Sequence, residues 1–254
     1  NVDLAQMQTE FGTLTQSLPP LAFNAQLLEA ARLHSLDMLN NAFQGHLSSS
    51  NPPSPNQPGD QPWDRGGRQG YSGGLYGENV YAFAQTMWHA HAAFQIDWGN
   101  PASEGGLDSD GDGMQDPPGH REAIHNPTFT EIGIRVIEGT VSDGGFTYGP
   151  YFVTQDLAEP QSDTPRITGV AYFDLDGDAF YSVGEGIGEV RVEVTGSNYY
   201  ALTSDSGGYA VPVPGDGSYT VTFSGLGFAP VSVPVTVSGG RNVKADFTPA
   251  YTAP

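Results

Sequence analysis

The sequence contains no cysteine, and this absence removes several kinds of chemistry at once. Without thiols the chain has no disulfide, no cysteine nucleophile and no cysteine-ligated zinc site. No run of apolar residues approaches the roughly 20 residues that a membrane-spanning helix needs. The chain begins at Asn1 without a basic and apolar leader, so we expect any signal peptide to have been removed or to lie outside this sequence.

Positive charge is also scarce. The sequence has 9 Lys and Arg against 29 Asp and Glu, for a formal net charge of −20, and Lys244 is its single lysine. Because phosphate backbones and anionic membranes are bound by clustered Lys and Arg, this composition disfavours nucleic acid and anionic membrane surfaces as partners and favours cations. Two origins of the charge stay open: a solvated acidic surface suited to a secreted protein in salty water, and calcium-binding loops.

The length of 254 residues suits two domains. The first half alternates apolar periodicities of about 3.6 residues with polar loops, which predicts helices. We expect helices over the apolar stripe Leu4–Leu18, from an N-cap at Asn24 through Met38, from about Tyr81 to Asp97, and from about Pro118. Two strands are expected over Ile132–Ile137 and Tyr148–Asp156.

A change of pattern follows residue 158. Residues 159–165 contain two prolines among five polar residues, which is typical of a linker. Beyond them, short β-branched runs are separated by Gly, Pro, Asp and Asn, a pattern that predicts a β-sandwich over residues 166–250. The expected strands are Ile167–Phe173, Val190–Thr195, Tyr209–Val213, Tyr219–Phe223, Val231–Val237 and Val243–Phe247. The predicted organisation is therefore a first domain at 1–158, the linker, and a second domain.

Short strings in the first domain carry a family resemblance. They are Gly45-His46, Gly77-Glu78-Asn79-Val80, Trp88-His89-Ala90-His91, Phe94-Gln95-Ile96-Asp97-Trp98-Gly99, Gly119-His120-Arg121 and Tyr151-Phe152-Val153-Thr154-Gln155-Asp156. In this order they resemble the CAP superfamily, which includes cysteine-rich secretory proteins, antigen 5 and pathogenesis-related proteins, and in particular its bacterial, cysteine-free branch. The resemblance implies an α+β fold, an α-β-α sandwich, followed here by the small all-β domain.

The resemblance also implies a polar cleft. Its four positions correspond to His46, Glu78, His91 and His120, where His91 replaces a Glu common in eukaryotic relatives. His91 lies three residues after Trp88 and shares a helical face with it, whereas His89 does not, so His89 is expected to lie outside the cluster. In resembled structures two facing histidines can hold zinc, which here would be His46 and His120, with water or Glu78 completing the coordination.

Three interpretations of the cleft remain open. The tetrad could bind a metal or small ligand without turnover, serve a hydrolase in which Glu78 acts as base with His46 and His120, or form a structural hydrogen-bond network. The sequence favours binding over catalysis, because no serine elbow or thiol nucleophile is present. The ligand would be extracellular, with lipid, glycan and protein as alternatives. His34, on the apolar stripe of the second helix, is expected to be a core histidine.

Two carboxylate loops predict calcium sites. One has Asp174, Asp176, Asp178, the Phe180 carbonyl and Glu185 at positions 1, 3, 5, 7 and 12, which is the EF-hand ligand spacing. The other has Asp108, Asp110, Asp112, Met114 and Asp116 at positions 1, 3, 5, 7 and 9, and would need water or a distant ligand to close. Because the loop at residues 108–116 precedes His120, calcium in that loop is expected to shape one wall of the cleft.

The second domain resembles bacterial surface modules. The strings Gly169-Val170-Ala171-Tyr172-Phe173-Asp174 and Thr203-Ser204-Asp205-Ser206-Gly207-Gly208-Tyr209 are similar to B-type repeats of serine-aspartate-rich surface proteins and to carboxypeptidase-regulatory-like domains. The resemblance implies a calcium-stabilised spacer or adhesion module. Together the two parts predict a secreted or cell-surface bacterial protein, with a purely structural extracellular role as an alternative.

Overall fold

The computed structural model describes residues 2–100, 106–162 and 164–249, and the chain divides into two compact units. The first comprises Asn1–Leu18 and Asn24–Glu159, and the second comprises Pro19–Phe23 and Pro160–Pro254. The division falls inside the predicted linker, whose Asp163 lies outside the described residues, as does Ala250 at the predicted end of the second domain. None of the described helices is long and apolar enough to cross a membrane.

The first unit combines five helices with strands in the part of it that the structure describes. The helices are α1 (Leu4–Phe11), α2 (Ala25–Asn41), α3 (Pro62–Arg68), α4 (Met87–Ile96) and α5 (Gly119–Ile124). The strands are β2 (Gly73–Ala84), β3 (Glu131–Glu138), β4 (Val141–Asp143), β5 (Phe146–Tyr148) and β6 (Tyr151–Pro160). β1 (Ala22–Phe23) is assigned to the second unit.

Helix α2 begins where the sequence predicts. The Asn24 side chain accepts hydrogen bonds from the backbone N–H groups of Gln26 (2.9 Å) and Leu27 (3.3 Å), which caps the helix. The prediction for α1 is wrong in length, because the helix ends at Phe11 rather than near Leu18. Gly12 caps the helix, and the Thr13 hydroxyl donates to the Glu10 carbonyl. The apolar periodicity of the sequence therefore extends past the end of the helix.

The sheet of the first unit is centred on β6. β3 pairs with it antiparallel, from Glu131 opposite Ala158 to Glu138 opposite Tyr151, and β2 lies on its other side. Helix α2 packs against β3, while α4 and α5 pack against β2. Gly133 makes the α2 contact possible, because a Cβ there would lie 2.1 Å from the carbonyl carbon of Leu27. This arrangement confirms an α+β first domain.

The segment from Tyr81 to Ala84 corrects a second prediction. We expected the helix to begin near Tyr81, but these residues end strand β2 and α4 begins at Met87. Val80, Ala82 and Ala84 are buried while the residues between them are half-buried, which is the period of two that a strand requires. The hydroxyl of Thr86 then caps α4 by accepting from the His89 N–H at 3.0 Å.

The second unit is a β-sandwich, as predicted. Its later strands are β7 (Arg166–Val170), β8 (Arg191–Val194), β9 (Tyr200–Leu202), β10 (Gly208–Pro212), β11 (Gly217–Gly225), β12 (Phe228–Val237) and β13 (Val243–Lys244). They form two sheets, ordered β10-β7-β13 and β12-β11-β8-β9. Alternate residues of both sheets, such as Ile167, Val192, Val211 and Phe223, are buried in one core. The edge strand β9 was not predicted.

Candidate functional site

Asp97 fixes the orientation of His120 where α4 and α5 meet. Asp97 is the C-cap of α4, at φ 63°, and is fully buried. Its Oδ1 lies 2.5 Å from His120 Nδ1, and its Oδ2 accepts the backbone N–H groups of His120 (2.8 Å) and Arg121 (3.1 Å). Because an ionised carboxylate only accepts hydrogen bonds, Nδ1 of His120 donates in this arrangement and Nε2 is left for a ligand.

A cleft of about 430 Å³ opens beside His120. This volume lies within the range of small-molecule sites, about 300–1,000 Å³. Besides His120, its wall includes the amide side chains of Gln44 and Gln115. Both amides are already engaged, since Gln44 Oε1 accepts the Ala82 N–H at 2.8 Å and Gln115 Nε2 donates to the Trp98 carbonyl at 2.9 Å. Four aromatic side chains also line the cleft: Tyr81, Phe83, Phe94 and Trp98.

The aromatic wall is continuous through ring contacts. Tyr81 lies 6.3 Å from Phe94 and 5.6 Å from His89, measured between ring centroids. His89 lies 5.1 Å from Trp98, and Phe94 lies 5.4 Å from His120. His89 Nδ1 accepts the Gln85 N–H at 3.0 Å, which orients its ring. His89, expected outside the cluster, is therefore the histidine of α4 that contacts the aromatic wall.

The carboxylate loop 108–116 is attached to this cleft by backbone hydrogen bonds. Gly99 N–H donates to the Gly113 carbonyl at 3.1 Å, and Gln115 N–H donates to the Asp97 carbonyl at 2.7 Å. Gly99 and Gln115 both line the cleft. Within the loop, Asp108 is buried and accepts the N–H groups of Gly111 (2.6 Å) and Gly113 (3.0 Å). The conformation of the loop therefore influences one wall of the cleft.

Glu78 lies in a separate, buried charge cluster. Its side chain is 1% exposed and forms an ion pair with the fully buried guanidinium of Arg65. Arg65 Nη1 also donates to the backbone carbonyls of His46 (2.8 Å) and Asp60 (2.9 Å). Glu78 Oε1 lies 2.9 Å from His46 Nδ1 and 3.9 Å from His34 Nε2. These contacts tie β2 to α3 and to the loop that carries His46.

The protonation states of this cluster follow from burial and charge. Burial acts to raise the pKa of Glu78, but His34, Arg65 and the hydrogen bond from His46 favour the carboxylate more strongly, so the pKa lies below its ordinary value. Burial, and then the negative charge of Glu78, raise the pKa of Asp156 well above its usual range. Burial lowers the pKa of His34. Charge therefore favours the ionised form of Glu78, while burial favours the neutral forms of Asp156 and His34.

The structure brings the four predicted tetrad residues together only in part. His46 and Glu78 form one pair, and His120 is paired with Asp97 instead. His91 is exposed on α4 and takes part in no hydrogen bond or ion pair of the described residues. His34 is buried as expected, with Nε2 donating to the Gly45 carbonyl at 2.8 Å. In the described chain, Nδ1 of His34 has no hydrogen-bond partner.

Sequence reasoning missed Arg65, Asp97 and Asp156. Asp97 stands in the string Phe94–Gly99, but nothing in the spacing indicated that it would meet a histidine 23 positions later. Arg65 lies in a polar stretch between the predicted helices, where a buried cation is not expected. Asp156 ends a predicted strand, and the sequence alone does not say which partners face it.

Carboxylates converge in both predicted calcium loops. Among the described residues, three ligand atoms lie within 4.8 Å of one another in two groups, which are Asp108 with Asp110 and Asp116, and Asp174 with Asp176 and Glu185. Glu185 accepts the N–H groups of Leu175 and Ser182, each at 2.7 Å, which holds it over the second loop. Oxygen donors of this kind suit calcium. Calcium binding remains a prediction at both loops.

The predicted zinc pair does not gather further ligands. Neither three-ligand group of the described residues contains a histidine. Catalytic zinc sites take three protein ligands, whereas His46 and His120 alone would supply two, and Glu78, which could complete the site, is already paired with Arg65. The residues described do not fit a three-ligand zinc centre.

Comparison with known proteins gives two family matches. The model of the cysteine-rich secretory protein family (CAP) matches residues 15–157, more than half of the chain, and that of the carboxypeptidase regulatory-like domain matches residues 177–250. A search of curated proteins found no match. A solved relative is an extracellular protein containing an SCP domain from Bacillus anthracis str. Ames, with 24% identity and a TM-score of 0.36. The alignment covers 60% of this chain and 36% of that protein.

Proposed function

We propose that this chain, which belongs to the CAP family, is an extracellular binding protein whose cleft beside His120 takes a small ligand. The observation that carries the proposal is the buried Asp97 carboxylate, which orients His120 towards a cleft with an aromatic wall. Sites of this kind combine an apolar lining with a few oriented polar groups. The regulatory-like domain that follows would act as a calcium-stabilised spacer or adhesion module.

Binding is better supported than hydrolysis. A general base must reach the proton that it removes, and Glu78 is 1% exposed and paired with Arg65. Neither Glu78 nor His46 lines the cleft that His120 lines. The hydrolase alternative would therefore need Glu78 to leave its ion pair, which is costly for a buried charge.

Calcium is the second part of the proposal. In each loop three carboxylates already converge, and a cation would offset their mutual repulsion. In loop 108–116 it would also hold Gly99 and Gln115, and with them one wall of the cleft. In loop 174–185 it would stabilise the second unit only.

The cleft is tested by NMR with uniformly ¹⁵N-labelled protein and a library of small neutral, anionic and cationic compounds. We expect binding compounds to shift the NMR signals of the Trp98 indole and of the Gly99 and Gln115 amides. His120→Gln should weaken the affinity for these compounds at least tenfold. His125→Gln is the matched control, because His125 lies just after the same helix but outside the cleft lining. The proposal fails if no compound shifts these signals.

Calcium is tested by isothermal titration of Asp110→Asn and Asp176→Asn, which change the third position of each loop. We expect two calcium ions per wild-type chain and one in each variant. Calcium should shift the Trp98 indole signal in Asp176→Asn but not in Asp110→Asn. Two calcium ions bound in both variants would contradict the assignment of the two loops as calcium sites. So would a Trp98 indole signal that does not shift on addition of calcium in any of the three proteins.

A further inference from the structure

The aromatic wall of the cleft has the properties of a cation-binding surface. The rings of Tyr81, Phe94 and Trp98 line one cleft and are linked through His89, with neighbouring centroids 5.1–6.3 Å apart. An aromatic face carries negative potential and attracts a cation within about 6 Å of its centroid. Aromatic side chains that line one cleft therefore favour a cation carrying apolar groups that can pack against them.

The charges around the cleft also favour a cationic ligand. Among the described residues no lysine or arginine lines it, and the lining histidine, His120, already has the Asp97 carboxylate at Nδ1. The nearest arginine in sequence, Arg121, is buried and forms an ion pair with Glu10. The adjoining loop adds Asp108, Asp110, Asp112 and Asp116, and a calcium ion would offset only two of these four charges. An anionic ligand would meet little positive charge here.

The polar lining narrows the kind of cation. A primary ammonium group needs several hydrogen-bond acceptors to replace its water. The Gln44 oxygen already accepts from Ala82, and Gln115 donates to the Trp98 carbonyl. The side-chain acceptors of the lining amides are therefore those of Gln115 and Asn100. A quaternary ammonium group has no N–H to satisfy and presents methyl groups to the rings, so it loses less on leaving water.

We propose that this cleft binds a small quaternary ammonium compound, with Trp98 and Tyr81 as its principal contacts. The inference rests on the proposed binding function and names its ligand class. Trp98 is the stronger of the two contacts, since its side chain remains 37% exposed beside the cleft and indole binds cations best among the aromatic side chains.

The test compares choline with 3,3-dimethyl-1-butanol, its uncharged carbon isostere, on the full chain with saturating calcium. Titration is followed through the Trp98 indole signal in ¹H–¹⁵N spectra and by calorimetry. We expect choline to bind at least tenfold more tightly than the isostere, because the two have the same shape and differ in charge. Equal affinities, or no binding of either compound at the cleft, would overturn the proposal.

Variants separate charge recognition from apolar packing. Trp98→Leu should weaken choline at least tenfold while changing the isostere less than threefold, and Trp98→Phe should retain most choline binding. Trp63→Leu is the matched control, since Trp63 is also exposed (57%) but does not line the cleft. An unchanged choline affinity in Trp98→Leu, with spectra showing the native fold, would refute the role of Trp98. If neutral library compounds bind at the cleft and choline does not, the binding function stands and the cation assignment falls.

Discussion

The first unit contains two histidine–carboxylate pairs of the same chemical type in different surroundings. In the His120–Asp97 pair the carboxylate is buried, and the histidine, 22% exposed, lines a cleft. In the His46–Glu78 pair the carboxylate is equally buried, but it also faces Arg65 and His34, and the histidine is 53% exposed outside the cleft lining. The same two functional groups therefore line a cleft in one place and join an internal ion pair in the other.

The difference between the pairs comes from what else the carboxylate contacts. Asp97 accepts two backbone N–H groups at the start of α5, so its bonds orient a helix and a histidine together. Glu78 accepts from Arg65, and Nη1 of Arg65 also donates to the backbone carbonyls of His46 and Asp60. The bonds of Glu78 and Arg65 therefore connect separate segments. We expect substitutions at Glu78 and its partners to act mainly on stability, and those at Asp97 to act on both stability and binding.

The largest effect is expected from Arg65→Met. It leaves the Glu78 carboxylate buried without its cation, a change that typically costs about 3–5 kcal/mol. Denaturant unfolding followed by circular dichroism measures it. Arg32→Met is the control, because the Arg32–Glu29 pair is about 40% exposed and such pairs contribute at most about 1 kcal/mol. Equal losses in the two variants would remove the distinction between a structural and a ligand-facing pair.

Asp97→Asn should follow, with a loss of about 1.5–3 kcal/mol, as expected for hydrogen bonds to a charged group. The asparagine oxygen can keep the backbone bonds, but its amide nitrogen would then donate to Nδ1 of His120 and place the ring proton on Nε2 instead. Unlike Arg65→Met, this variant should also change the ring resonances of His120 and weaken cleft binding. Asp143→Asn, at an exposed aspartate of β4, is the control. Unchanged His120 resonances would contradict the positioning role of Asp97.

The sequence predicted the fold better than the site, for a physical reason. Helix α2 and strands β3 and β6 follow from caps and periodicity, which are local properties of the chain. The two carboxylate loops were also predicted, because their ligands lie within 12 residues of each other. The Asp97–His120 and Arg65–Glu78 contacts join residues 23 and 13 positions apart through tertiary packing, and no local pattern indicates them.

A third prediction uses pH to examine the Glu78 cluster, in which Asp156 faces Glu78, Arg65 and Tyr76. The pKa of Asp156 is raised in the folded protein, first by burial and then by Glu78, so the folded state keeps a proton that the unfolded chain loses above about pH 3.9. The stability of the wild type relative to Asp156→Asn should therefore decrease as pH rises from about 4 towards 7, because asparagine imitates the protonated acid and does not titrate.

The measurement is the difference in Tm between Asp156→Asn and the wild type at several pH values. We expect the variant to gain several degrees between pH 4 and pH 7, since about 1 kcal/mol corresponds to roughly 2–4 °C for a chain of this size. Glu78 has the opposite sign: its lowered pKa contributes stability that is present above about pH 4.3 and lost in acid. Because Glu78 is present in both proteins, the Tm difference reports on Asp156. A Tm difference independent of pH would show that Asp156 is ionised in the folded state.

The smallest effect is expected from His46→Gln. His46 is exposed on one side, and glutamine can still donate to Glu78 Oε1, so the loss of stability should stay below about 1 kcal/mol. Because His46 does not line the cleft, ligand affinity there should also change less than twofold, whereas His120→Gln should weaken it at least tenfold. The two affinities are compared by calorimetry, with the same cleft ligand titrated into both variants. If the two variants lose affinity equally, the two pairs act on one ligand, and the His46–Glu78 pair belongs to the binding site rather than to its support.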